Sequence, residues 1–383
     1  MAASAPADVN YVSKESPVVI LEYKDLVDES KDLSSALSAA YGSNGLGLLV
    51  VRGVPGYVEA RAKLLPLARQ FAQLPEEAKL RYEHPASHYN FGWSHGKETL
   101  AGKPDVAKGS YYANPMYDSP FDGQPELVEK FPSFCAPNIW PTADLPALEP
   151  AFKALGTLIC ETGFLLARHC DMHVQKINPA YPTLRLHNII SKSRTAKARL
   201  LHYFPMTTEQ AAAGAGGVDV DGSWCGWHND HGSLTGLCSA MYFNAEGQEV
   251  PNPDPLSGLY IRSRTGQTVK AIIPQDCLAF QMGETEQIHS AGVLQATPHC
   301  VMAGGPASAN ISRETFAVFM EPEMFEPMSV PSSADAANIT GGTTAFLPKG
   351  VPSLASRWKA EQDFGTFTNA TLAAYHPAEE AKA

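Results

Sequence analysis

Residues 227–237 read WHNDHGSLTGL. Two histidines and an aspartate precede a run, SLTGLCSAMYF, with the β-branched and apolar composition of a strand. On a strand, residues i and i+2 point to one face. His228 and Asp230 therefore project together into the mouth of a β-structure, Asn229 points away, and His231 falls outside the pair. The cluster is a metal site, an acid–base pair or a chance group of polar residues, and only the rest of the chain decides which.

The chain downstream of Pro179 is a series of similar runs. TLRLHNII, ARLLHYF, SLTGLCSAMYF, GLYIRS, TVKAII, DCLAFQM, TPHCVMA and TFAVFME are short, β-rich and separated by turn signals. Close spacing of that kind favours an antiparallel sandwich or barrel, and a jelly roll is the simplest two-sheet closure. The expected fold is mainly β with flanking helices: a double-stranded β-helix over residues 179–330, with an N-terminal α/β segment over 17–178. A tail, 1–16, precedes this segment. An extension, 331–383, follows the core and carries a short helical stretch near Trp358 to Phe364.

Within the N-terminal segment, PVVILE (17–22) and GLGLLVVRGVPG read as strands. DESKDLSSALSAAYGSNG reads as a helix capped by Ser30, with Leu33, Leu37 and Tyr41 on one face and Gly42 at its end. A second helical pattern covers 58–83. Residues 84–143 are rich in Gly, Pro, Tyr, Asn and Trp without clear periodicity, a long irregular region of the sort that often carries function. Phe152, Leu155, Ile159, Thr162 and Leu166 recur on one face of a helix over 144–176.

The formal net charge of −11 argues against nucleic acid as a partner, because a phosphate backbone is met by clustered Lys and Arg. The run Lys192 to Arg199 is the nearest approach to such a patch, and a solvated edge explains it as well. No stretch reads as a membrane span, and the N-terminus lacks the pattern of a secretory signal. The 7 cysteines form no CxxC pair, which suits reduced thiols and a cytoplasmic location better than a disulfide framework.

His228 and Asp230 need a third ligand from elsewhere. Two histidines and one carboxylate would complete the arrangement typical of non-haem Fe(II) sites, which leaves coordination positions open. His289 and His299 compete for the place. His299 lies in the strand-like TPHCVMA, followed by a turn and by ISRETFAVFMEP, so it neighbours Arg313 across a hairpin. His289 precedes Ser-Ala-Gly and reads as a surface polar residue. Arg313 and Thr315 share a strand face. An inward guanidinium is costly unless an anion pairs with it, and with a hydroxyl it forms a receptor for a carboxylate.

On these residues the chain resembles the 2-oxoglutarate/Fe(II)-dependent dioxygenases of the isopenicillin N synthase-like, plant type. The family's H-x-D-x-G-x-x-T matches His228-Asn-Asp230-His-Gly232-Ser-Leu-Thr235. Its S-N-G-x-x-x-S-x-x-H-R-V aligns without a gap onto Ser290 through Val301, which selects His299 over His289. Its R-x-S corresponds to Arg313-Glu-Thr315. PVVILE, NGLGLLVVRGVP and FAQLPEEAK resemble its N-terminal segment, so the likeness spans about residues 17–330.

The resemblance implies Fe(II) held by His228, Asp230 and His299, and 2-oxoglutarate as cosubstrate with its distal carboxylate on Arg313 and Thr315. It also implies O2 as oxidant, a small-molecule substrate oxidised at an unactivated C–H bond, and release of succinate and CO2. Two rivals stay open: an Fe(II)/O2 oxidase that uses no 2-oxoglutarate, and a jelly roll that binds a metal or ligand without catalysis.

The chain departs from the family pattern at Ala291 and Cys300, where Asn and Arg are usual, and at His202-Tyr203-Phe204-Pro205, where Asn-Tyr-Tyr-Pro is usual. Taking 198–204 as a strand, alternation puts Leu200, His202 and Phe204 on one face. The family aromatic before Pro reaches the cosubstrate through a phenol, and Phe204 has none. His202 is expected to replace that hydrogen bond from within the 2-oxoglutarate pocket; the alternative is a bulge that turns Tyr203 inward. Phe204, Trp93 and His95 are candidates for the substrate pocket, and Thr207 to Trp224 is either a surface loop or a lid over it.

Overall fold

Strand pairing gathers the β-rich runs into two facing sheets. The computed structural model describes residues 8–97, 99–100, 103–213, 223–331, 339–340 and 346–375. The larger sheet has 10 strands. Its main path runs Val19–Glu22, Leu48–Arg52, Cys277–Met282, Leu234–Cys238, Ser312–Met320, Lys197–Tyr203, Lys108–Ala113 and Gly92–His95. Val19–Glu22 pairs in parallel with Leu48–Arg52; the other pairings along this path are antiparallel. The smaller sheet has 4 strands, in the order Thr268–Ala271, Gly258–Arg262, His299–Met302 and Ser223–His228. The two sheets form the expected double-stranded β-helix without closing into a barrel.

Alternation along each strand gives the large sheet two apolar faces. Leu49, Val51, Leu278, Phe280, Phe316, Val318 and Leu200 point outward and pack with helical side chains such as Leu64, Phe71, Phe152 and Ile159. Leu48, Val50 and Ala279 point inward and meet Leu259, Ile261 and Ala271 of the small sheet. The inner core fills one end of the jelly roll and leaves the other end to the polar residues described below.

The helix Leu148–Ile177 lies against the outer face at a close approach. A Cβ on Gly236, in the strand Leu234–Cys238, would stand 2.2 Å from Ile159 Cγ2, so glycine is what lets helix and strand touch. Against expectation, this helix is long and apolar enough to cross a membrane by length and composition. Its apolar residues instead build the core: Phe152, Leu155, Ile159 and Leu166 are fully buried.

Several expectations need correction. TLRLHNII is not a strand; Arg185–Lys192 is a helix. Its N-terminus is anchored by the buried Asp171, whose two oxygens accept from the N–H groups of Leu186 and His187, both at 2.9 Å. Ser30 does not cap a helix. Its hydroxyl donates to Asp28 at 2.6 Å, and the helix spans Ser34–Tyr41. The region 84–143 is not wholly irregular, since Gly92–His95 and Lys108–Ala113 extend the large sheet. The C-terminal helices are Leu354–Arg357 and Phe364–Tyr375, flanking rather than spanning 358–364. Of the loop Thr207 to Trp224, residues 214–222 lie outside the described residues.

Candidate metal centre and its adjoining pocket

His228 ends the strand Ser223–His228 and His299 begins His299–Met302; the two are direct partners in the antiparallel register. Their ring centroids are 4.2 Å apart. Asp230 follows His228 just past the strand end. Its Oδ1 lies 3.8 Å from His228 Nε2 and 3.7 Å from His299 Nε2. The three ligand atoms lie within 4.8 Å of one another, the spacing of donors able to share one ion.

Each imidazole is oriented through its other nitrogen. His228 Nδ1 lies 2.8 Å from the Gly226 carbonyl, and donating its N–H there leaves Nε2 as the ligand. His299 Nδ1 lies 2.6 Å from the Gln281 carboxamide and 3.3 Å from the Thr297 carbonyl. Gln281 Nε2 is the atom on that side, and Oε1 has no partner among the described residues; with the carboxamide flipped, Oε1 accepts the Nδ1–H and Nε2 of His299 is left free as the ligand. Burial opposes ionisation of Asp230, but the neighbouring His299 and His228 and a hydrogen bond from Thr235 outweigh it and hold the carboxyl below its ordinary value. Burial, reinforced by His228, presses His299 down to about 4, so its lone pair is available to a cation.

His289 is in a different place. It ends the helix Glu284–His289, is fully buried, and its Nε2 lies 3.0 Å from the Pro327 carbonyl. The surface position expected for it is therefore wrong: the residues after Gly283 form a buried helix. His231 stays outside the ligand set, its ring stacked on Phe364 with centroids 5.8 Å apart.

The inward face next to the metal ligands carries Arg313 and Tyr203, direct partners on adjacent strands. The Arg313 guanidinium lies 4.9 Å from the Tyr203 ring centroid and 5.8 Å from that of Trp224. It is buried, and its Nε and Nη1 have no hydrogen-bond partner among the described residues. Thr315 lies on the same face and donates to the Cys238 carbonyl at 3.2 Å. Buried guanidinium N–H groups left unpaired are costly, and a carboxylate would satisfy both. The residues therefore fit a dicarboxylate cosubstrate.

His202 does not face this pocket. It pairs with Glu314 across the strands, and its Nδ1 lies 2.9 Å from Glu314 Oε2, on the side opposite Arg313. Ser312 donates to the same carboxylate at 2.8 Å. The inward pair is Leu201 and Tyr203, one residue earlier than expected, so the phenol absent at 204 is present at 203. Phe204 packs with His202 and His95, centroids 4.5 and 4.7 Å away. Trp93 is also displaced from its expected role: it is buried among outward core residues, 5.1 Å from Phe71 by ring centroids. His95 lies at the margin, its Nε2 3.1 Å from the Val106 carbonyl.

The sequence reading missed the polar wall that continues from Tyr203. Ser94 pairs with Ser110, Ser110 with Leu201, Tyr112 with Arg199 and Lys108 with Tyr203, so these residues share the inward face. Arg199 Nε donates to Ser110 Oγ at 2.9 Å, its guanidinium lies 5.1 Å from the Tyr112 ring centroid, and Lys108 pairs with Asp105. The period-2 pattern of KARLLHY carried that signal, had Tyr203 been taken as the inward residue. A separate cavity of about 600 Å³ opens between His84, Phe121, Glu129 and Cys135, away from these groups.

Comparison with known proteins agrees with this geometry. Residues 17–143 match the family model described as the N-terminal region of a non-haem dioxygenase in morphine synthesis. No curated protein sequence matches the chain. A full-length Neurospora crassa protein, solved in complex with alpha-KG, superposes with a TM-score of 0.64 at 18% identity, covering 94% of this chain and 97% of that one. JOX2 in complex with 2OG, Fe and JA gives 0.57 at 16%, over 88% and 85%. The dioxygenase for auxin oxidation 1 of Arabidopsis thaliana, as its 2-oxoglutarate complex, gives 0.54 at 16%, over 84% and 99%. The chain has the fold of the 2-oxoglutarate/Fe(II) oxygenases. Within that fold, His228, Asp230 and His299 form a group that could hold a metal ion, and Arg313 and Tyr203 lie opposite each other on the inward face.

Proposed function

We propose that this chain is an Fe(II)- and 2-oxoglutarate-dependent oxygenase that oxidises a small organic acid. The observation that carries the reading is the buried, under-satisfied Arg313 on the inward face that also bears Tyr203, beside the His228–Asp230–His299 group. When bound, Fe(II) with 2-oxoglutarate and O2 would supply the oxidising chemistry: one oxygen atom of O2 enters succinate as 2-oxoglutarate loses CO2, and the other oxidises the substrate. The chain's own part is positional. His228, Asp230 and His299 would hold the ion and leave part of its coordination open. Arg313 would pair with the distal carboxylate, with Tyr203 and Trp224 enclosing the guanidinium and keeping water from it.

Support for an acidic substrate comes from the wall of Ser94, Lys108, Ser110, Tyr112 and Arg199. Arg199 donates to Ser110 there and Lys108 pairs with Asp105, so the wall is polar and carries cations, a character that suits an acid better than an apolar substrate. An Fe(II)/O2 oxidase independent of 2-oxoglutarate leaves the Arg313 site without a purpose.

The test is 2-oxoglutarate turnover with Fe(II) in air across a panel of small carboxylic acids and their amides, reading succinate release and substrate mass. Succinate should form in step with an acid gaining oxygen or losing hydrogen, and the matching amide should react poorly. Oxygen uptake that proceeds equally without 2-oxoglutarate would reject the cosubstrate assignment. Preference for amides over acids would reject the substrate class.

A further inference from the structure

The segment 346–375 reaches the turn that carries His228 and Asp230 through a chain of buried and partly buried polar contacts. The Tyr375 hydroxyl, on the helix Phe364–Tyr375, accepts from the backbone N–H of Asn229 at 2.9 Å. Asn229 is the residue between His228 and Asp230. Its side-chain Nδ2 donates to Glu284 Oε1 at 2.9 Å, and the Glu284 N–H donates to the Asp230 carbonyl at 2.8 Å. Glu284 is in turn held by Arg357 Nη2 at 2.6 Å, both side chains almost fully buried. Arg357 Nη1 donates to Thr371 of the last helix at 2.8 Å. The ligand-bearing turn is thus tied at the Asn229 N–H, the Asn229 amide and the Asp230 carbonyl, and two of these ties end on groups contributed or held by the C-terminal segment.

The segment is docked firmly enough to transmit this. Leu354, Trp358, Phe364 and Phe367 form a small core of their own with Ile288, next to Glu284–His289. Trp358 Nε1 donates to the Met328 carbonyl at 2.9 Å, and backbone bonds join Phe364 to Glu326 and Gly365 to Met324, both at 2.8 Å. Phe364 also stacks on His231, the neighbour of Asp230.

We propose that Tyr375 and the Arg357–Glu284 pair are positioning residues for the metal centre, presetting the turn so that His228 and Asp230 converge before the ion arrives. The inference rests on the assignment of His228, Asp230 and His299 as the metal ligands. Outer groups that orient ligands typically affect metal affinity by about 10–100-fold, and a turn held at its central N–H spends less binding energy on ordering when the ion binds.

The experiment uses the full-length chain and Co(II) as the probe, read by calorimetry and by the visible absorption of the bound ion, with melting temperature measured in parallel. Tyr375→Phe should bind Co(II) about tenfold more weakly and alter its visible spectrum, with little loss of melting temperature. Glu284→Gln should weaken binding in the same direction. Phe367→Leu, which loosens the same helix without touching Asn229, should lower the melting temperature yet bind Co(II) within about twofold of wild type. Wild-type affinity and spectrum in Tyr375→Phe would overturn the inference alone. So would an equal loss of affinity in Phe367→Leu, because the contact would then only dock the segment. A wild-type chain that binds no Co(II) would instead overturn the ligand assignment on which the inference stands.

Discussion

His228 and His299 are paired residues on adjacent antiparallel strands, with imidazole centroids 4.2 Å apart. Directly opposed side chains on one face of a sheet lie close together by construction, so the register of the small sheet sets the separation of two ligands before any ion is present. The contact between the His299 ring and the Gln281 carboxamide, 2.6 Å, joins the two sheets at the metal end. His299→Ala should therefore abolish Fe(II)-dependent turnover and Co(II) binding without unfolding the protein. Gln281→Leu should keep the fold and weaken metal binding about 10–100-fold. His289→Ala should cost about 1–3 kcal/mol of stability through loss of a buried hydrogen bond and its packing, and still bind metal. Calorimetric titration with denaturant melts separates the three; metal-free His289→Ala beside metal-bound His299→Ala would reverse the assignment.

Opposed strand positions also distinguish the two faces beside the proposed cosubstrate site. Tyr203 stands across from Arg313, and His202 across from Glu314 on the reverse face. Arg313→Met should raise the 2-oxoglutarate KM or Kd by at least tenfold, since a charge-assisted contact contributes about 1.5–3 kcal/mol. Tyr203→Phe should weaken 2-oxoglutarate binding less, by severalfold. His202→Phe should leave that affinity unchanged and lower stability, because Glu314 would keep a buried carboxylate with one partner fewer. Equal affinities in wild type and Tyr203→Phe, with a large loss in His202→Phe, would restore the opposite orientation.

Much of this site was legible in the sequence because its chemistry is local. The i, i+2 spacing of His228 and Asp230 survives without knowledge of the whole fold. The hairpin expected between His299 and Arg313 does not form: His299–Met302 pairs within the small sheet and Ser312–Met320 within the large one, so the two residues come from facing layers. The inward side of Lys197–Tyr203 was not legible either, because a side-chain period of 2 makes an error of one residue invert the whole strand, and Phe204 before Pro205 looked like the last inward aromatic. TLRLHNII failed for another reason. A short apolar run is compatible with helix or strand, and what decides it is Asp171, distant in sequence, accepting the first N–H groups of the helix. The contact of Tyr375 with Asn229 joins residues far apart in the chain and has no sequence signature at all.

A buried acidic pair outside the metal-ligand group offers a pH test. The Tyr181 hydroxyl lies 2.7 Å from Asp171 Oδ1 and 3.1 Å from Glu286 Oε1. Its one proton serves Asp171 and a protonated Glu286 donates to its oxygen, while Glu286 Oε2 has no partner among the described residues. Burial, with Asp171 nearby, raises the Glu286 carboxyl well above its ordinary 4.5; burial also pushes Asp171 up to about 6. A folded-state pKa above the unfolded one favours the fold while the group is protonated. The contribution is complete below about 4.5 and is lost as pH climbs toward the folded value. Glu286→Gln copies the protonated acid, so it should be nearly as stable as wild type at about pH 4.5, where the acid is protonated in the fold and still about half protonated in the unfolded chain. It should become relatively more stable as pH rises to 9. Urea unfolding at both values checks this, and a Glu286→Gln deficit that grows with pH would mean the carboxylate is ionised in the fold.

The approach of the long helix to the large sheet gives the last test. A Cβ at Gly236 would lie 2.2 Å from Ile159 Cγ2 and 3.3 Å from Phe280 Cε1. Real side chains do not tolerate the first distance, so Gly236→Ala must push helix and strand apart, at a cost of about 1–3 kcal/mol. The neighbouring Thr235 hydrogen-bonds Asp230 from the inward face of the same strand, so displacement of the strand reaches the metal site. Gly236→Ala should lower stability and weaken Co(II) binding together. Ile159→Ala alone should destabilise by about 2–5 kcal/mol through its cavity. The double variant should lose clearly less than the sum, because the alanine methyl fills space the isoleucine vacated, and it should recover Co(II) affinity. Additive losses in a double-mutant cycle would show that the two residues are not in contact and that the glycine is needed for some other reason.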